Sequence, residues 1–181
     1  MNAYRIFNAT RRYKTIDYKD SPIVNNIGEC VWKDIGEISA FNYHWDEECD
    51  SDDICDAPFV AGFIPVFSER IYLQLCKMIN TDECQVIPIV VSGSRYYVVN
   101  TMSMAEGLIN MKQSEVKYFS SGKVMDVKNY VFNNTDIPAF FKISEYPVFT
   151  FVNEAVAEFL SNEAVGLEVE KCSTKKRFGL F

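Results

Sequence analysis

The order of hydrophobic and polar positions is the same in two parts of the chain. The first part covers residues 65–91, with Ser68 as a polar position before an amphipathic run. The second covers residues 147–169, with Asn153 in the same role. Ser and Asn are favoured N-cap residues, and the apolar segments on either side have the length of strands. Each part therefore predicts a strand, a capped helix and a second strand.

Apolar residues follow both caps at helical spacing, on one face of each predicted helix. They are Ile71, Leu75, Met78 and Ile79 after the first cap, and Val156, Phe159 and Leu160 after the second. An amphipathic helix of this kind buries its apolar face against another layer of structure. We expect both helices to pack across the face of a sheet.

Other alternating or continuously apolar segments predict further strands. These are residues 4–7, 59–64, 84–91, 95–100, 115–119, 124–131, 139–143 and 167–172. Residues 31–35 fit a short strand or an entry loop, and the mixed composition of residues 102–111 is read as a short helix. The resulting fold class is α+β, with a mostly antiparallel sheet, two or three packed helices and a strand–helix–strand unit that occurs twice.

The regular pattern begins at residue 59, and most of the preceding chain is polar and irregular. We therefore expect two parts. Residues 1–58 form an N-terminal extension with an acidic loop, packed on the rest. Residues 59–181 form the main α+β domain.

Charge and composition narrow the classes of function. The net charge of −7 over 181 residues disfavours nucleic acid as the partner, because phosphate binding needs a basic surface. No apolar run reaches the roughly 18 residues of a membrane span. The first residues do not resemble a secretory signal, so the six cysteines are expected to be free thiols in a cytoplasmic protein.

Carboxylates are concentrated between residues 46 and 56. Directly after Trp45, the acidic residues are Asp46, Glu47, Glu48, Asp50, Asp52, Asp53 and Asp56. Such a density of like charge favours an exposed loop, which would also serve solubility alone. Trp is common in binding hot spots, and carboxylates around it steer a basic partner. These eight residues are our candidate partner-binding surface.

Candidate catalytic and metal-binding residues are few. His44 is the one histidine of the chain, and no nucleophile–base pair or phosphate-binding loop accompanies it. Together with Cys49 and Cys55 it matches no standard zinc spacing. We expect no enzyme activity and no cofactor. A small-ligand or metal-binding module built on these three residues and nearby carboxylates stays as the alternative.

Several short motifs occur in a familiar order between residues 59 and 172, about two-thirds of the chain. They are Phe67-Ser68-Glu69-Arg70, Gln85-Val86-Ile87-Pro88-Ile89, Tyr96-Tyr97-Val98-Val99-Asn100, Gln113-Ser114-Glu115, Ala139-Phe140-Phe141-Lys142-Ile143, Val152-Asn153-Glu154 and Gly166-Leu167-Glu168-Val169. In this order the chain resembles the immunity-protein family of bacterial polymorphic-toxin systems, a former domain of unknown function typified by a myxobacterial protein. An aromatic or Glu-Phe ending is common in that family after the last glycine, where this chain has Leu167-Glu168-Val169.

The resemblance implies a non-enzymatic, cytoplasmic inhibitor that binds a cognate toxin domain and occludes its active surface. Ser68, Glu69, Asn100, Ser114 and Gly166 match the family motifs and are expected to be caps, turns and strand ends. The expected toxin contacts lie in the unmatched N-terminal part, with its acidic run.

Overall fold

The computed structural model describes residues 2–9, 12–19, 21–23, 42–49, 51–133 and 136–174. The described strands form two five-stranded sheets and two two-stranded ribbons. Within the part of the chain that the structure describes, two complete α-helices and a short 3-10 helix accompany them. The α+β class expected from the sequence is confirmed, and both α-helices belong to the repeated unit.

The strands of the first sheet lie in the order β13-β1-β12-β11-β7, and those of the second in the order β2-β3-β5-β6-β4. The ribbons are β8-β9 and β10-β14. The strands are β1 Ala3–Asn8, β2 Ile16–Asp17, β3 Asn42–Trp45, β4 Val66–Ser68, β5 Cys84–Val91, β6 Ser94–Thr101, β7 Met104–Ala105, β8 Glu115–Tyr118, β9 Val124–Asn129, β10 Val131–Phe132, β11 Phe140–Ile143, β12 Thr150–Asn153, β13 Leu167–Lys171 and β14 Ser173–Thr174. The helices are α1 Glu69–Leu75, the 3-10 helix Thr81–Glu83 and α2 Glu154–Glu163.

The two copies of the sequence pattern fold in the same topology. In the first, α1 connects β4 to β5, and both strands pair antiparallel with β6, which lies between them. In the second, α2 connects β12 to β13, and both pair antiparallel with β1 between them. Each copy is therefore a β-α-β unit whose two parallel strands are split by one strand from elsewhere in the chain.

One core holds the two units together. Ile71 and Leu75 of α1 and Val156 and Leu160 of α2 are buried in the same hydrophobic cluster. Two further clusters lie around the second sheet and around the β8-β9 ribbon. The matched positions of the two helices thus face each other across a shared interior, as their apolar stripes predict.

The N-terminal strand is an interior element of the first sheet. Residues Ala3–Asn8 pair with β12 on one side and with β13 on the other. Strands β2 and β3, also before residue 59, belong to the second sheet. The boundary at residue 58 stays a prediction, but the chain before it supplies strands to both sheets.

The strand expected at residues 59–64 is wrong. Only an isolated bridge joins Val60 and Ile64, and Phe59, Ala61 and Gly62 have φ angles of 42°, 52° and 78°. A run of left-handed residues turns the chain back on itself, so that Val60 and Ile64 exchange backbone hydrogen bonds at 3.0 Å. The strand that leads into α1 begins at Val66 instead.

The short helix expected at residues 102–111 is also wrong. Met104 and Ala105 form β7, which pairs parallel with β11 at Lys142 and Ile143. Further along, Ile109 bridges to Phe132. The apolar residues of this segment are too few to show a helical or a strand period. Pairing with β11 and with Phe132 determines their conformation, so tertiary contacts outweigh local propensity here. The expected strand or loop at residues 31–35 lies outside the described residues.

Candidate functional site

The acidic run begins where β3 ends. Trp45 closes that strand, paired with Ile16 of β2, and its ring lies edge-on to Tyr96 with the centroids 5.7 Å apart. It is half-buried against the second hydrophobic cluster. Trp45 therefore fixes the start of the run to the second sheet and presents only part of its ring to solvent.

Three hydrogen bonds brace the acidic run against residues 12–15, two between backbone groups and one from a serine side chain. These hydrogen bonds are Asp46 N to Thr15 O at 2.9 Å, Lys14 N to Asp53 O at 2.8 Å and Ser51 Oγ to Arg12 O at 2.7 Å. A surface segment held at several points loses little conformational entropy when a partner binds it.

Most of the predicted carboxylates face solvent. Glu47, Glu48, Asp52 and Asp53 are exposed, and Asp46 is half-buried. Asp52 lies 3.2 Å from the Lys14 ammonium. Asp50 lies outside the described residues. The structure thus presents four of the predicted acidic side chains at the surface of one braced segment.

Ile54 directly follows the exposed Asp52 and Asp53 and is 57% exposed. The next residue, Cys55, points inward and is buried. An isolated exposed apolar side chain is ordinary on a protein surface, but one framed by charged residues has the composition of an interface anchor. The sequence reasoning missed Ile54, although its position between Asp53 and Cys55 was a usable signal.

Asp56 differs from the other predicted carboxylates because it is engaged inside the protein. Its oxygens accept hydrogen bonds from Ser68 Oγ at 2.5 Å, Arg70 Nη2 at 2.7 Å and Val165 N at 3.2 Å. Its side chain is 16% exposed. Asp56 therefore links the start of α1 to the end of α2, and we leave it out of the contact surface.

Ser68 occupies the N-cap position of α1 without capping the helix through its side chain. Its hydroxyl donates to Asp56 instead. Asn153, the matching residue of α2, does accept the hydrogen bond of Val156 N at 3.1 Å. The two caps therefore have the same position and different chemistry.

The other motif positions also make contacts within the protein. Glu69 accepts from Arg95 at 3.1 Å and from Tyr97 at 3.2 Å. Ser114 Oγ accepts from Val131 N at 3.0 Å. Gly166 has a φ of +83° and packs against Cys55. These contacts give the motifs a structural role.

The residues of the alternative metal site are not brought together. Cys49 Sγ is directed at Tyr13 O at 3.5 Å, whereas Cys55 Sγ is directed at Lys14 O at 3.9 Å. Burial raises the pKa of the Cys55 thiol to about 11, which disfavours the thiolate that metals bind. Among the described residues, no three His, Cys, Asp or Glu side chains form a group that could hold a metal ion.

The cleft between α1 and α2 has a volume of about 300 Å³ and is lined by Arg70, Ile71, Gln74, Phe159 and Glu163. Its charged groups are already paired, with Arg70 2.7 Å from Asp56 and 3.6 Å from Glu163. Its lining residues include no Ser, Thr, Cys, Lys or His.

Neither described α-helix has the length and apolar content needed to cross a lipid bilayer. No protein-family model matches the chain. A search of curated proteins found no match either.

Proposed function

We propose that this chain is an immunity protein, which binds a cognate bacterial toxin domain and neutralises it by covering its active surface. The observation that carries the proposal is the braced acidic segment, which exposes Glu47, Glu48, Asp52 and Asp53 together with Ile54. A surface of this kind fits a basic protein with an apolar pocket. The motif resemblance between residues 59 and 172 supplies the class of partner.

The carboxylates and Ile54 should contribute to binding in different ways. Exposed carboxylates accelerate encounter with a basic partner and set its orientation, but contribute little net affinity each. Ile54 supplies apolar area that is removed from water on binding. Tight inhibition also needs a total buried area of roughly 1,200–2,000 Å², so contacts must extend beyond this segment.

The proposal needs no chemistry in the inhibitor itself. Among the described residues, His44, Cys49 and Cys55 belong to no group that could hold a metal ion, and the helix cleft holds paired charges. Inhibition by occlusion is stoichiometric, so one molecule of the chain silences one toxin domain. Protein purified without chelator that carries one equivalent of metal would favour the alternative module instead.

A growth experiment tests the function. The candidate toxin comes from a reading frame next to the gene for this chain. That reading frame should encode a secreted multidomain protein, and its variable C-terminal domain is the part to be tested. Expression of that domain should arrest growth, and coexpression of this chain should restore it. A domain from an unrelated system serves as the control. The proposal fails if no neighbouring domain is toxic or if the toxic one is unaffected by this chain.

A further inference from the structure

A second exposed surface lies on the hairpin of β8 and β9, residues 115–129, which is separate from both five-stranded sheets. Tyr118, Phe119 and Met125 are 52%, 53% and 49% exposed. Several large apolar side chains exposed together on one hairpin exceed the scattered exposure of an ordinary surface and indicate a contact site.

The hairpin region is basic in an acidic protein. Residues 115–129 contain Lys117, Lys123 and Lys128 against Glu115 and Asp126, a net charge of +1, whereas the whole chain has a net charge of −7. Lys117 and Lys123 flank the exposed aromatic residues and are themselves exposed. The surface is therefore aromatic and positive, and it fits an acidic surface that carries an apolar side chain.

The described chain contains a surface with those properties. The acidic segment exposes the carboxylates Glu47, Glu48, Asp52 and Asp53 and the apolar side chain of Ile54. Val165, also exposed, is joined to the end of that segment by the hydrogen bond of Asp56 N to Val165 O at 2.9 Å. Charge and apolar character are thus complementary between residues 115–129 and residues 46–54.

The hairpin and the acidic segment pack on different hydrophobic clusters. Val116 and Val127 of the hairpin pack in the third cluster, while Trp45 at the start of the acidic segment packs on the second. Among the described residues, no hydrogen bond or ion pair joins residues 46–56 to residues 115–129. Each surface is therefore open to a second molecule.

We infer that the hairpin of one copy binds the acidic segment of a second copy. The contact is head-to-tail, with different surfaces on the two partners, so it builds rings or open chains rather than a symmetric dimer. It occupies the same carboxylates that the proposed function assigns to the toxin, but the self-association itself depends on no toxin.

Sedimentation equilibrium of the chain alone tests the inference. At about 0.15 M salt the Debye length is about 8 Å, so repulsion between the two acidic bodies is largely screened and local contacts decide. The average mass of the wild-type chain should rise from monomer to oligomer between micromolar and millimolar concentration. Phe119→Ser, which keeps every charge, should shift that rise to at least tenfold higher concentration.

Charge-changed variants identify the surfaces. One variant carries Lys123→Glu and Lys128→Glu, and another carries Glu47→Lys, Glu48→Lys and Asp53→Lys. Each alone should stay monomeric, and an equimolar mixture should associate because the changed surfaces match each other. Circular dichroism melting curves check that both are folded.

A wild-type chain that stays monomeric throughout, or variants that associate as the wild type does, would overturn the inference. A mixture that stays monomeric would also overturn it. Binding of the monomeric chain to vesicles of anionic phospholipid, lost in the Lys123→Glu/Lys128→Glu variant, would assign the hairpin to lipid instead.

Discussion

Lys142 and Asn100 join the two five-stranded sheets, with Lys142 Nζ 3.5 Å from Asn100 Oδ1 in the interior of the protein. Lys142 belongs to β11 of the first sheet and Asn100 to β6 of the second. Beside them, Thr101 Oγ1 donates to Phe140 O at 3.3 Å. Both members of the first pair lie in the motifs of the resemblance, so those motifs mark the junction between the sheets.

The pH dependence of stability should reveal the buried Lys142. Burial lowers its pKa from 10.5 to about 8. Between these values the unfolded chain binds the proton and the native protein does not, so this residue makes the free energy of unfolding rise with pH. Relative to Lys142→Met, the wild type should gain up to about 3 kcal/mol from pH 8 to pH 10.5 in urea denaturation.

Thr101→Val is the matched control for this experiment, because it breaks the neighbouring contact between the sheets and leaves Lys142 in place. Its stability difference from the wild type should vary far less with pH, and any small variation comes from Cys84, whose thiol is hydrogen-bonded to Thr101 and has a pKa that burial raises to about 11. A difference between wild type and Lys142→Met that is constant with pH would show that Lys142 stays charged in the folded protein.

Asp56 should be far more important for stability than the carboxylates next to it. Its carboxylate accepts hydrogen bonds from Ser68, Arg70 and Val165. Asp56→Ala leaves these donors without their partner and should lower the free energy of unfolding by about 2–4 kcal/mol. Asp53→Ala, at an exposed side chain, should change it by less than about 0.5 kcal/mol. Equal effects in urea denaturation would contradict the assignment of Asp56.

The sequence alone could not separate Asp56 from its acidic neighbours. Composition places all seven carboxylates in one exposed run. What distinguishes Asp56 is the approach of α1 and of Val165, which comes from a part of the chain more than a hundred residues away. The same tertiary contact explains why Ser68, a correct N-cap position, has a side chain that bonds elsewhere.

Gly166 should be intolerant of a side chain for two reasons. Its φ of +83° is unfavourable for other residues, and an added Cβ would collide with Cys55 Cβ. Gly122 has a similar φ of +80° with open space around it, so Gly122→Ala reports the conformational cost alone, about 1 kcal/mol. Gly166→Ala should cost at least about 2 kcal/mol more, measured by thermal or urea denaturation. Similar losses for the two variants would exclude close packing at Gly166.

The strongly periodic elements were predictable, and the failures have a common cause. Val156 and Leu160 are buried at the spacing that the sequence indicated, and the segments 84–91 and 95–100 form the paired strands β5 and β6. The strand predicted at residues 59–64 is wrong because the chain turns there. Phe59 and Ala61 have positive φ angles, and the pattern of hydrophobic residues does not indicate such a turn. The joining of two sheets through Lys142 was likewise invisible to local patterns.

The described cysteines should differ in reactivity according to burial. Burial raises the pKa of Cys55 to about 11 and that of Cys172 to about 12, so both stay protonated and shielded. Cys49 and Cys76, at intermediate exposure, should be alkylated before Cys55 and Cys172 by iodoacetamide at mildly alkaline pH. Mass spectrometry of peptides after brief labelling gives the order. Labelling in denaturant gives the rate for each cysteine when it is fully accessible. In the native protein, labelling of Cys55 as fast as Cys76 would contradict the buried position of Cys55.

The decisive measurement for binding through the acidic segment is the rate of association with the candidate toxin domain as a function of salt concentration. The variant Glu47→Lys/Glu48→Lys/Asp53→Lys and the control Asp82→Lys/Glu106→Lys/Glu158→Lys change the net charge equally, and all six residues are exposed. The first variant should associate at least tenfold more slowly than the wild type, and its association rate should depend less on salt. The association rate of the control should stay close to that of the wild type. Equal rates for the two variants would contradict binding through the acidic segment.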